Sequence, residues 1–159
     1  MSVRIRIAGA EQMAVLGAEL RAAGLEGKVF RRNLLAGIRA AAAPAPQAVK
    51  ESARRTLPHG GGLNEYVATS KIGVRTRLTG KAVGVRVVGT KPGGSKGHDL
   101  EAIDAGSVRH KVFGRWVKGV PTQAVTPGFF TKPLEDTEPK VTTAVIGVIY
   151  ATRRALEKG

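Results

Sequence analysis

The sequence has no cysteine. That excludes a disulfide framework, a thiolate metal site and a cysteine nucleophile, and it fits a chain made in a cytosol. Aromatic residues are scarce: one Trp, two Tyr and four Phe. The apolar mass must therefore come from Ala, Val, Leu and Ile. Long apolar runs are missing too. The longest, 141–151, is interrupted by Thr142 and Thr143 and falls far short of the roughly 20 residues a membrane-spanning helix needs. The first residues, Met1-Ser2-Val3-Arg4-Ile5-Arg6-Ile7, alternate charged and apolar side chains, so no signal-peptide core is expected there. Acidic residues are few, with 12 Asp+Glu against 26 Lys+Arg.

The resulting charge of +14 is spread along the chain. Residues 1–57 hold ten Lys+Arg and four Asp+Glu, residues 58–120 eleven and four, and residues 121–159 five and four. Nowhere do five basic residues run together, which argues against a polybasic membrane anchor or a localisation signal. A dispersed excess of this kind suits nucleic acid, an acidic protein neighbour or an anionic surface, and does not choose among them.

A chain of 159 residues suits one domain with one core. Its periodicities divide it into a helical part (1–57), a part of sheet and loops (58–127) and a C-terminal helix (128–159). Val3, Ile5 and Ile7 alternate with arginines, as in a half-buried strand. Met13, Leu16 and Leu20 share one face of a helix over 10–23. A longer helical pattern over 26–55 is interrupted by Pro44 and Pro46, which predicts two helices joined at 43–46, with Pro46 in the first turn of the second. Gly60-Gly61-Gly62 marks a loop, and 63–70 a short helix.

The clearest local signal is a hairpin. Ile72, Val74, Thr76 and Leu78 alternate with Lys71, Arg75 and Arg77, and Val83, Val85 and Val87 alternate about Arg86. One face packs on helices, and the other is cationic through Arg75, Arg77 and Arg86. Asp99 is placed to cap a short helix reaching 105. An extended segment is expected over 110–116, a loop over 119–128, and a last helix from 129 or 133 to about 156. The fold class is therefore α+β, an antiparallel sheet packed by N-terminal helices and a long C-terminal helix, with extended loops. The loops 90–98 and 117–127 lack an apolar face and suit contact with a neighbouring subunit.

No catalytic, metal or cofactor site emerges. His59, His98 and His110 follow no zinc spacing and are read as loop or surface histidines. Asp99, Glu101 and Asp104 form a small acidic cluster, for which a solvated helix face or an N-terminal charge bias is the simpler account. Neither glycine-rich segment, 60–62 or 92–97, supplies a Walker loop, and no serine sits in a nucleophile elbow. The chain is expected not to be an enzyme. Non-specific contact with a nucleic-acid backbone stays open through charge alone, because no helix-turn-helix, zinc-finger or RNA-binding signature is present.

From Leu57 onward the order of features resembles a known family. Pro58, Gly60-Gly61-Gly62-Leu63 and the basic hairpin come first, followed by two further stretches. These are Ile103-Asp104-Ala105-Gly106-Ser107-Val108-Arg109-His110-Lys111-Val112-Phe113-Gly114-Arg115 and Pro127-Gly128-Phe129-Phe130-Thr131-Lys132-Pro133-Leu134-Glu135. Together they resemble the head–tail junction and tail-completion proteins of tailed phages (siphoviruses), of the minor tail protein Z-like and HK-type tail-component kind, in the form found in actinobacterial phages. Lys111 departs from that pattern, where many relatives carry proline. The resemblance implies a virion protein made in the host cytoplasm. It implies a hexameric or dodecameric ring of identical copies around the DNA channel, as neck, tail-completion or tail-terminator protein. Its partners would be adjacent connector and tail-tube proteins, with non-specific contact to phage DNA and none to membrane.

Within that frame, Phe113, Trp116, Phe129 and Phe130 are the expected interface residues. They are four of the seven aromatics and fall in a stretch that reads mostly as loop. A staple role at the start of the last helix is the other account of Phe129 and Phe130. Arg75, Arg77 and Arg86 are expected to meet DNA phosphate or an acidic ring surface. A free basic nucleic-acid-binding protein is the alternative, and a hydrolase acting through Asp99, Glu101, Asp104 and a histidine is a distant third.

Overall fold

The computed structural model describes residues 1–5, 10–22, 24–78, 84–90, 99–109 and 122–158, with backbone alone at 2–5, 10, 25 and 26. Strand β1 (Ser2–Ile5) is followed by helices α1 (Ala10–Ala22), α2 (Gly24–Ala42) and α3 (Pro44–Thr56). Met13, Leu16 and Leu20 of α1 are buried, as are Leu34, Ile38 and Ala42 of α2. These are the i, i+3, i+4, i+7 spacings of helices with one apolar face. The expected break between α2 and α3 is a single residue, Ala43, whose amide donates back to the Ala40 carbonyl at 3.2 Å. Pro44 and Pro46 fall in the first turn of α3, where a missing N–H costs no helical bond.

The three glycines form a tight 3-10 turn, Gly60–Gly62, rather than an open loop. Gly61 and Gly62 have φ of 78° and 72°, a region that side chains with a Cβ avoid, and Gly62 leads directly into α4 (Leu63–Ala68). The hairpin follows as β2 (Lys71–Arg77) and β3 (Gly84–Thr90), paired antiparallel with Arg75 opposite Arg86. Strand β1 pairs antiparallel with the other side of β3, so the sheet order is β1-β3-β2. Ile72, Leu78, Val85 and Val87 point to the buried face. Helices α2 and α3 lie against β2, and the last helix lies against β1.

Beyond the sheet come α5 (Leu100–Asp104), β4 (Ser107–Arg109), β5 (Thr122–Ala124) and α6 (Thr131–Lys158). The β4–β5 ladder corrects the expected loop over 119–128. All three residues of β5 are exposed, so the strand carries no apolar alternation to read. Residues 110–116, expected to be extended, lie outside the described residues. Helix α6 runs 28 residues with Pro139 inside it on the exposed side, and buries Leu134, Val141, Val145 and Ile149 against α2 and α3. The architecture is the expected α+β, with helices covering one face of a small antiparallel sheet.

Candidate functional site

The carboxylate of Asp104 is held at the start of α6. Its Oδ1 accepts from the amides of Phe130 (2.6 Å) and Thr131 (3.3 Å), and its Oδ2 accepts from the Thr131 hydroxyl. Its own carbonyl accepts from the Gly128 amide at 2.8 Å. Helix α6 opens after Gly128-Phe129-Phe130, and no side chain at that Phe130 position can cap it. Asp104, 27 residues earlier, supplies both the missing acceptor and the negative charge that a helix N-terminus favours. The only trace of this in the sequence is the helix start that lacks a cap of its own.

A second bond, from the Val125 amide to the Gly106 carbonyl (2.9 Å), and the β4–β5 ladder complete the contact. The described parts of the two motif stretches, 103–109 and 127–135, are therefore one clasp. The rest of the acidic cluster is accounted for similarly. Asp99 Oδ1 accepts from the Glu101 amide at 3.0 Å and caps α5, as expected. Glu101 is exposed. Among the described residues no group of three or more His, Asp or Glu could hold a metal ion. His59 is exposed, with its Nδ1 3.2 Å from the side-chain Nδ2 of buried Asn64. His98 and His110 lie outside the described residues.

Of the four expected interface aromatics, Phe113 and Trp116 lie outside the described residues. Phe129 and Phe130 are corrected to the core. They are 1% and 0% exposed and meet edge to face at 6.1 Å. The cause is the clasp, which pulls the start of α6 onto the sheet. Gly89 of β3 sits beneath, so close that a Cβ there would lie 2.9 Å from the Phe130 ring and 3.1 Å from Leu100. Both rings thus fix the start of α6 to the body of the protein.

The basic face is placed as expected. Arg75, Arg77 and Arg86 are exposed on the side of the sheet away from the helices, with Lys71 at the far end of β2. The register adds Arg4, which sits opposite Arg86 on β1, so that Arg4, Arg86 and Arg75 form one row across all three strands. Like charges directly opposite in a ladder are destabilising. None of Arg75, Arg77 and Arg86 has an ion pair among the described residues. Arg4 was legible only as part of a strand. Its place in the row needed the pairing of β1 with β3.

No family model, no curated protein and no solved structure matches the chain. The geometry and the motif resemblance carry the functional argument.

Proposed function

We propose that this chain is a non-enzymatic structural subunit of the head–tail junction of a tailed phage, acting as one copy in a ring around the DNA channel. The observation that carries the proposal is the clasp. The two stretches that most resemble the tail-completion family are separated in sequence, yet Asp104 of the first caps the helix opened by the second. The two stretches thus act as one unit in the fold. The same bonds occupy Asp104, one of the residues on which a hydrolase reading would depend. A ring subunit needs surfaces for neighbours rather than a reaction centre.

Immunogold labelling of purified virions tests this directly. Label at the junction between head and tail is the expected result. Absence of the chain from particles would overturn the proposal.

Arg75, Arg77 and Arg86, exposed and without an ion pair among the described residues, favour one other reading, a free protein that binds the nucleic-acid backbone. Such binding would be sequence-independent and would weaken steeply with salt as counterions are released. Fluorescence anisotropy with unrelated duplexes over a salt series separates the two. Tight, salt-sensitive binding by a protein that is absent from virions would favour this reading.

A further inference from the structure

The protein is strongly basic, yet α1 carries a stripe of the opposite kind. Glu11, Val15 and Glu19 recur at every fourth residue and so share one side of the helix. Val15 is 53% exposed and Tyr150, beside it on α6, is 52% exposed, an unusual degree for apolar side chains in this molecule. Together with Leu16 and Ile149 they line a shallow groove between α1 and α6. Glu11 and Glu19, on its rim, have no ion pair among the described residues. Arg153, at the same groove, is already paired with Glu157 at 3.4 Å. Gly17, about 200° round the helix from Val15, packs against the Leu78 carbonyl after β2. The stripe is therefore turned away from the sheet of its own chain.

The outer face of the sheet has the matching pattern. Along β2, Lys71 comes first, then Gly73 opposite Val88, then Arg75 opposite Arg86. Gly73 and Val88 are only half-buried. The sheet thus presents cation, small apolar step, cation, where α1 presents anion, Val15, anion. The spacings agree as well. Eight residues of helix separate Glu11 from Glu19 by about 12 Å, and four residues of strand separate Lys71 from Arg75 by about 13 Å.

We propose that α1 of one copy lies across the outer sheet face of the next. One glutamate meets Lys71, the other meets the Arg75–Arg86 row, and Val15 rests on Val88 over Gly73. The contact joins two different surfaces, so it is head-to-tail and propagates into a closed ring or a filament rather than a two-fold dimer. It also neutralises Arg75 and Arg86, which have no ion pair among the described residues. It rests on the ring proposal only for the supply of identical neighbours.

The test uses two double variants of the full chain, Glu11→Lys/Glu19→Lys and Arg75→Glu/Arg86→Glu, with circular dichroism to confirm that each folds. In sedimentation velocity at low salt, wild type self-associates. Each variant alone does so about a hundredfold or more weakly, because like charges now face each other. Mixing the two variants in equal amounts restores association, since each supplies the charges the other lacks. Three results would overturn the contact: a wild type that stays monomeric at every concentration, a Glu11→Lys/Glu19→Lys protein that associates like wild type, or a mixture that fails to associate. An Arg75→Glu/Arg86→Glu protein that loses only DNA binding would also overturn it, and would assign the face to nucleic acid. The junction proposal is judged separately, by labelling of virions. Junction label with a failed mixing result leaves the ring without this contact, and a positive mixing result without label leaves the contact without the junction.

Discussion

Asp104→Ala should be among the most damaging single changes at a polar residue of this protein. The substitution removes the acceptors of two backbone amides and one hydroxyl at the start of α6. Those amides belong to the helix N-terminus and have no partner within the helix. Loss of an exposed cap costs about 1 kcal/mol. Here a charged acceptor serves three donors at a half-buried site, and bonds to charged groups contribute about 1.5–3 kcal/mol apiece. The three share one carboxylate and do not add, so the expected loss is about 2–4 kcal/mol. In a chain of this size each kcal/mol moves Tm by about 2–4 °C, which gives a fall of about 4–16 °C.

Two further variants calibrate the effect. Asp99→Ala removes a single exposed cap bond on a short helix and should cost only about 1 kcal/mol. Asp104→Asn keeps one oxygen but loses the charge, and should fall between. Urea unfolding followed by far-ultraviolet circular dichroism ranks the three. Hydrogen exchange at the Phe130 and Thr131 amides should rise in Asp104→Ala well before global unfolding. The reasoning fails if Asp104→Ala lies within about 0.5 kcal/mol of wild type, or if Asp99→Ala is the worse of the two. A stable Asp104→Ala protein that lacks a hydrolytic activity present in wild type would return the residue to a catalytic role.

Three further expectations concern the core and the sheet. Phe130→Ala should destabilise the fold by about 3–5 kcal/mol, and a variant that unfolds normally but fails only in assembly would restore Phe130 to an interface. Arg86→Thr removes the central member of the arginine row and should stabilise the isolated chain by up to about 1 kcal/mol, while weakening self-association; a loss of stability in denaturant titration would contradict the register. Thr76→Val deletes a buried hydroxyl that has no partner among the described residues, so stability should hold or rise by about 1 kcal/mol, and a loss on thermal unfolding would show that the hydroxyl is satisfied after all.

Much of this architecture is legible because its periodicities are local. The stripe Met13, Leu16, Leu20, the alternation around Arg75 and the proline pair at 44 and 46 each state an element and its buried side within a dozen residues. What could not be read is long-range. The pairing of β1 with β3 joins residues 80 or more apart, and nothing in either strand names its partner. Strand β5 is wholly exposed and borrows its order from β4. The same limit applied to function. Asp104 looked like one member of an acidic cluster because its real partners lie 26 and 27 residues away. Phe129 and Phe130 looked like interface residues because their neighbours in sequence read as loop, whereas the clasp carries them into the core.

The arginine row bears on the proposed contact between copies. Arg86 has a like charge opposite it on each side, on β1 and on β2. Folding alone gains nothing from that arrangement, since threonine would serve the strand better at all three positions. Among the described residues Glu11 and Glu19 have no ion pair, and they lie on a different surface from the arginines of the sheet. Separating the two signs within one chain raises the energy of the monomer and makes contact between copies, or with an outside polyanion, the way to lower it. The cost is small for each copy, about 1 kcal/mol, but it would recur at every position in the proposed ring. Association should therefore weaken with added salt while the clasp, internal and half-buried, keeps its strength. A salt titration that dissolved the assembly and left the unfolding midpoint nearly unchanged would separate the surface that recruits neighbours from the core that holds the fold.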